Sequence, residues 1–148
     1  MTDPTMHKLL QCYQDELDNW NGVLQRHHQD SGVLIQKLNF LNELQSSHNK
    51  TGANLIDLLM LQQQKTTYLK GITNNHQLRF NHLKDLSIDS PWQLFGEEQD
   101  ILRIKMRAHE RDFMRIQYES EFFLFASLEE VVLASRCEAE AQSRRKEL

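Results

Sequence analysis

The chain has 148 residues, a formal net charge of -4, and only 5 glycines and 2 prolines. That is enough chain for one domain with its own core, and so few breakers imply long, uninterrupted elements. The charge gives the molecule as a whole no attraction for nucleic acid or an anionic membrane, and Cys12 and Cys137, one near each end, form neither a CxxC pair nor a secreted disulfide framework.

Leucine, glutamine, glutamate and asparagine are common while valine and isoleucine are few, which favours helix over sheet. The opening residues lack a basic region followed by an apolar run, so no signal peptide is expected. No stretch approaches the roughly 18 uncharged apolar residues of a membrane span, and the expectation is a cytoplasmic protein. Asp3-Pro4 reads as an N-cap followed by a first helical residue. From there two series, Leu10, Leu17, Leu24, Ser31, Leu38 and Met6, Tyr13, Trp20, His27, Leu34, Leu41, alternate in steps of four and three, the coiled-coil spacing. They predict a first helix over about 4–46. Gly22 and Gly32 each weaken it by roughly 1 kcal/mol relative to alanine, and a bend is expected near Asp30-Ser31-Gly32.

The run SSHNKTG, residues 46–52, is the clearest turn. A second helix is predicted over about 52–86, with a stripe of Leu55, Leu59, Gln62, Thr66, Leu69, Thr73, His76, Phe80 and Leu83 whose central layers are polar. The next break is SIDSPWQLFGEEQ, residues 87–99, where Ser90-Pro91 with Gln93 fits a capping box. Trp92 and Phe95 are expected in a short turn that plugs one end of the bundle. A third helix is predicted over about 97–140, through Leu102, Met106, His109, Phe113 and Ile116, followed by a polar tail at about 141–148. Helices of roughly 50–65 Å joined by short connections run antiparallel to their neighbours. The predicted fold is all-α: one domain, 1–148, an elongated up-down-up bundle of three long helices with coiled-coil-like packing.

The segment EFFLFASLEEVVLA, residues 121–134, is apolar around much of its circumference. Phe122, Phe125, Glu129 and Val132 share one line; Leu124, Leu128, Val131 and Ser135 share a second; Phe123, Ser127 and Glu130 share a third. The first two lines are expected to meet the other helices, and the surplus needs further cover. Phe122, Phe123, Phe125, Leu128 and Val132 are the candidate association face, covered by a second copy or by a heterologous helical protein. Cover by Trp92, Phe95 and the start of helix one is the alternative.

Arg103, Arg107, Arg111 and Arg115 recur at four-residue steps and predict a basic ridge on helix three. Residues 101–115 carry a net +3 and residues 116–148 a net -3, so this helix is polarised along its length. The ridge suits pairing with acidic helices, such as 116–148 of a second subunit running the other way. Phosphate binding is the alternative use, but no aromatics are placed for base stacking, and Glu110 and Asp112 dilute the field.

Chemistry-bearing patterns are thin. Seven histidines are present, yet no Glu-x-x-His or His-Glu-x-x-His occurs, so no metal ligands, cofactor or small-molecule substrate are assigned. Simple hairpins put His27 opposite about residue 70 and His76 opposite about 106. His76 and His109 are then expected to approach each other, with His27 a turn or more away. Buried histidines would make the bundle sensitive to pH near 6.5. No glycine-rich phosphate loop or nucleophile–histidine–acid set stands out, and no catalytic residue is assigned. The sequence favours a non-enzymatic interaction module, an adaptor, chaperone or assembly subunit. A metal-dependent helical enzyme and a weak nucleic-acid binder are the alternatives.

Overall fold

The structure, a computed structural model, describes residues 4–45, 50–86 and 92–146. Over these residues the chain forms α1 (Pro4–Leu44), α2 (Lys50–Leu86) and α3 (Trp92–Lys146) and no strand. The three pack as an up-down-up bundle in which each helix contacts both others. The Asp3 cap, the Ser90-Pro91 part of the capping box and turn residues 46–49 lie outside the described residues.

In α1 the predicted spacing is the spacing of burial. Leu17, Trp20, Leu24, His27, Ser31, Leu34, Leu38 and Leu41 are all buried, and the helix continues through Gly22 and Gly32. In α2 the buried set is Gly52, Leu55, Leu59, Gln62, Thr66, Leu69, Thr73, His76 and Phe80, again in steps of three and four. Gly52 sits at a close approach: a Cβ there would stand 3.1 Å from Asn42 Oδ1 and 3.3 Å from the Phe123 ring, so these side chains would have to give by a few tenths of an ångström.

α3 begins at Trp92, earlier than the sequence suggests, and its 55 residues run through Gly96 to Lys146. Trp92 and Phe95 belong to its first turns rather than to a separate plug, and both rings are buried against Phe80. Gly96 lets the helix pass close to α1, since a Cβ there would stand 2.7 Å from the Tyr13 hydroxyl. At 1.5 Å per residue α3 is roughly 80 Å long, against about 60 Å for α1 and about 55 Å for α2.

The core divides into two apolar clusters. One contains Leu17, Trp20, Leu24, Leu69, Phe80, Trp92, Phe95, Leu102 and Met106. The other contains Leu34, Leu38, Leu41, Leu55, Leu59, Ile116 and Leu124. Between them lies a polar layer in which His27, Ser31, Gln62, Thr66 and His109 are buried. Inside this framework register is visible: Thr66 bonds His109, His76 bonds Gln99, and the His27 and His109 rings meet. The hairpin reading of the sequence is corrected here. His109 neighbours His27, while His76 lies against Phe95 and Gln99. The α2–α3 register is one heptad tighter than a helix starting at 97 would give, because α3 already exists at Trp92.

Two stability outcomes follow from this packing. Leu59→Ala empties a site with 0 % exposure and is expected to destabilise the fold by about 2–5 kcal/mol in urea denaturation. Gly22→Ala and Gly71→Ala should each stabilise it by about 0.5–1 kcal/mol, since nothing lies within 4 Å of either added Cβ and alanine is the better helix former.

Candidate interaction surface

The last part of α3 outruns its neighbours. Ser127 is its last buried residue, and every residue from Leu128 to Lys146 is exposed except half-buried Val131. These 19 positions amount to roughly 28 Å of helix with little of the described protein against it.

From Ser120 into EFFLFASLEEVVLA the inward-facing side of the core continues through Leu124 and Ser127, and all three residues are buried. Phe122 and Phe125 consequently point outward, 66 % and 72 % exposed, and Val132 and Leu128 are also exposed. This corrects the expectation that the Phe122–Phe125–Val132 line meets the other helices. Phe123 is turned the other way: it is half-buried, packs on the second apolar cluster and touches Gly52. It therefore leaves the candidate face. Tyr118, 71 % exposed, joins it, together with Ile104 and Met114. Ile104, Tyr118, Phe125 and Val132 fall at multiples of seven residues, a second stripe opposite the buried one. The signal was in the sequence: stepping by seven from Met106 and Phe113 reaches Ser120 and Ser127, so small residues face inward and aromatics outward.

The arginine ridge is likewise split. Arg103 turns toward α1, where its Nε and Nη2 engage both oxygens of Glu16 at 2.6 and 2.7 Å, and its Nη1 reaches Asp100 at 2.6 Å. Arg107, Arg111 and Arg115 are exposed on the outer side. A shallow hollow there is lined by Ile104, Arg107, Glu110, Arg111 and Met114.

Arg103 is part of a chain that crosses the bundle. Gln99 Nε2 donates to Glu16 Oε1 at 2.9 Å, so the Gln99 carbonyl faces His76 and accepts from its Nε2–H. The His76 ring stacks on Phe95 with centroids 4.0 Å apart, and its other edge faces Glu98, which pairs with Arg79. Burial alone would raise the Glu16 pKa, but the Arg103 and Gln99 hydrogen bonds outweigh it and hold the carboxyl below its ordinary value.

In the central layer Thr66 Oγ1 donates to the Gln62 carbonyl, so it accepts from His109 Nε2–H at 2.9 Å. His27 stacks on Phe113 and sits 5.4 Å, centroid to centroid, from His109. Burial lowers the pKa of all three core histidines, and His109, further lowered by His27 and Lys65 and opposed by Asp112, falls to about 4. Asp30 opposes and Arg26 reinforces the shift at His27; Glu98 and the Gln99 hydrogen bond oppose and Arg79 reinforces it at His76. Each ring is held neutral in the fold.

Among the described residues no three His, Cys, Asp or Glu side chains are grouped to hold a metal ion, and no helix is long and apolar enough to cross a membrane. Comparison with known protein families, with curated proteins and with solved structures finds no match to this chain.

The histidine layer sets a pH dependence. A group whose folded pKa lies below its unfolded value contributes stability above the unfolded pKa and loses it as pH falls. Stability should therefore decline between pH about 6.5 and about 4, with His109 alone accounting for on the order of 3 kcal/mol. Urea midpoints measured at pH 7.5 and pH 4.5 check this, and His109→Gln should flatten the difference.

Proposed function

We propose that this protein is a non-enzymatic interaction module, an adaptor, chaperone or assembly subunit, that works by offering the outer face of α3 to a partner helix. One observation carries the reading. Tyr118, Phe122, Phe125 and Val132 form an exposed apolar row on a helix that extends past its own bundle. Exposed large apolar side chains scattered singly need no explanation, but a contiguous row of aromatics on one helical face is a recognised mark of an association surface. The row has the stepping of a helix that receives another helix, and the rotamer-poor aromatic side chains suit it as an anchor.

The charges beside the row give direction. Arg107, Arg111 and Arg115 project on the N-terminal side of the aromatic patch, and Glu129 and Glu130 lie on its C-terminal side. Exposed charges of this kind steer encounter and suppress wrong orientations more than they add affinity. The partner class that fits is a helix with apolar residues at three- and four-residue steps and a complementary order of charge. Catalysis plays no part in this reading. Glu16, Gln99 and His76 bind one another, and Thr66 binds His109, so these polar side chains are engaged within the bundle.

Two substitutions separate this function from folding. Phe125→Asp places a charge on the outer face and should leave the unfolding free energy from urea denaturation within about 0.5 kcal/mol of wild type, while abolishing association and binding of an apolar fluorescent dye. Phe123→Asp places the same charge against the second cluster and should lower stability by more than about 2 kcal/mol. Equal loss of stability in both variants would overturn the proposed role of the outer face.

A further inference from the structure

Resting on the reading of the outer α3 face as an interaction surface, we propose that its occupant is α3 of a second copy of this chain. The two helices run antiparallel about a two-fold axis that passes between residues 121 and 122.

The first argument is the order of charge along α3. Under that symmetry residue i faces residue 243 − i, so segment 104–115 faces 128–139 and segment 97–100 faces 143–146. The first segment carries Lys105, Arg107, Arg111 and Arg115 with Glu110 and Asp112, net +2; the segment facing it carries Glu129, Glu130 and Glu138 with Arg136, net -2. The second pair sets Glu97, Glu98 and Asp100, net -3, against Arg144, Arg145 and Lys146, net +3. Asp100 and Glu98 are already engaged by Arg103 and Arg79, so the inner pair of segments carries most of the complementarity. A parallel pairing would place each of these segments against its own copy, like charge on like.

The second argument is the apolar stripe. In an antiparallel two-fold pair each flank of a helix meets the same flank of its partner. Tyr118 then meets Phe125 on the centre line, and on the flanks, one residue off that level, Met114 meets Leu128, Phe122 meets its own copy, and Arg115 meets Glu129. Val132 falls opposite Arg111, over the hollow lined by Ile104, Arg107, Glu110, Arg111 and Met114, as a knob enters a hole on a facing helix. Three largely exposed aromatics from each copy contribute roughly 600–1,000 Å² to the centre of the contact. Met114, Leu128 and Val132 bring the total into the range of about 1,200–2,000 Å² of a stable interface.

The third argument is the overhang. Residues 128–146 have almost nothing of the described chain beside them. In the antiparallel pair they lie along 97–115 of the other copy, where that copy's own bundle supports the receiving helix. The symmetry covers both overhangs at once. It also brings Glu121 against its own copy, a repulsive contact at the axis.

The test uses the full chain, with mass measured by light scattering over a wide concentration range. The expected result is a species of twice the 17.5 kDa chain. Arg115→Glu and Glu129→Arg should each weaken the dimer tenfold or more. An equimolar mixture of the two variants, and the double variant, should both restore it, since each then sets opposite charges across the interface. Glu121→Gln should tighten it. A nitroxide on Cys137, in a Cys12→Ser background, should give an inter-copy distance of roughly 45 Å, as 1.5 Å per residue from the axis requires. A distance near 10 Å would mean parallel helices and overturn the proposal. So would a dimer indifferent to the charge exchange, or a monomer at every concentration. If the monomer still binds apolar dye and Phe125→Asp abolishes that binding, the interaction-module reading stands and its partner is another protein. If neither association nor dye binding occurs, both readings fail.

Discussion

Glu16 of α1 sits in the fork of the Arg103 guanidinium on α3, accepts from Gln99, and through Gln99 is linked to His76 on α2. The other buried layer repeats the device, with Thr66 of α2 bonded to His109 of α3 and His27 of α1 against the His109 ring. Apolar layers alone would not fix register. A slip of α3 by seven residues against α1 would put Met106 or Trp92 where Gln99 now stands, still apolar beside leucines, but Glu16 would lose its Gln99 partner. Gln99, with 0 % exposure, would lose its partners as well, and a fully buried amide without partners costs more than an imperfect leucine contact, so this register is favoured. The contact of Tyr13 with Gly96 and the fit of Gly52 under Asn42 and Phe123 then fall into place.

That same register decides which residues of α3 are left outside. Three helices give each member two neighbours, and a helix with two neighbours buries one stripe. Once Met106, His109, Phe113 and Ile116 face inward, the seven-residue repeat commits Ser120 and Ser127 to the interior and Tyr118, Phe122 and Phe125 to the exterior. The inner and outer stripes share no residue. The residues that hold the fold and those of the proposed association face are therefore separable, and an acid pH that charges the core histidines acts on the bundle rather than on the outer row.

The three helices, their order and most of the core could be read from the four-three spacing of leucines, because the buried stripes of α1 and α2 keep one phase from end to end. Register could not, because it depends on where α3 starts. Trp92 and Phe95 looked like a turn beside Pro91 and Gly96, whereas both rings have a cluster waiting in Phe80 and Tyr13, and tertiary burial overrode the local breakers. The face of α3 was half legible. Its aromatic content marked it, but large apolar residues attract the assumption of burial, and only carrying the phase forward from the polar and small members Ser120 and Ser127 assigns it correctly. Arg103 shows the converse limit. Its spacing placed it in a ridge with Arg107, Arg111 and Arg115, and the partner that removes it from the ridge, Glu16, is 87 residues away.

The overhang has a composition that fits its exposure. Residues 128–146 are rich in glutamate, arginine and alanine, good helix formers, and contain neither glycine nor proline. An isolated helix of this length is marginal in water, but this one grows from a packed helix and escapes the cost of nucleation. In the proposed pairing it meets the second copy already ordered, so less conformational entropy is lost on contact. Beyond Val132 and Leu133 its apolar content is thin. In the proposed pairing area supplies little discrimination there, and the order of charges along the helix supplies it. An acidic stretch, then a basic one, an acidic one and a basic one succeed each other from Glu97 to Lys146, with the aromatic row at the centre of the series, the order that the proposed antiparallel pair requires.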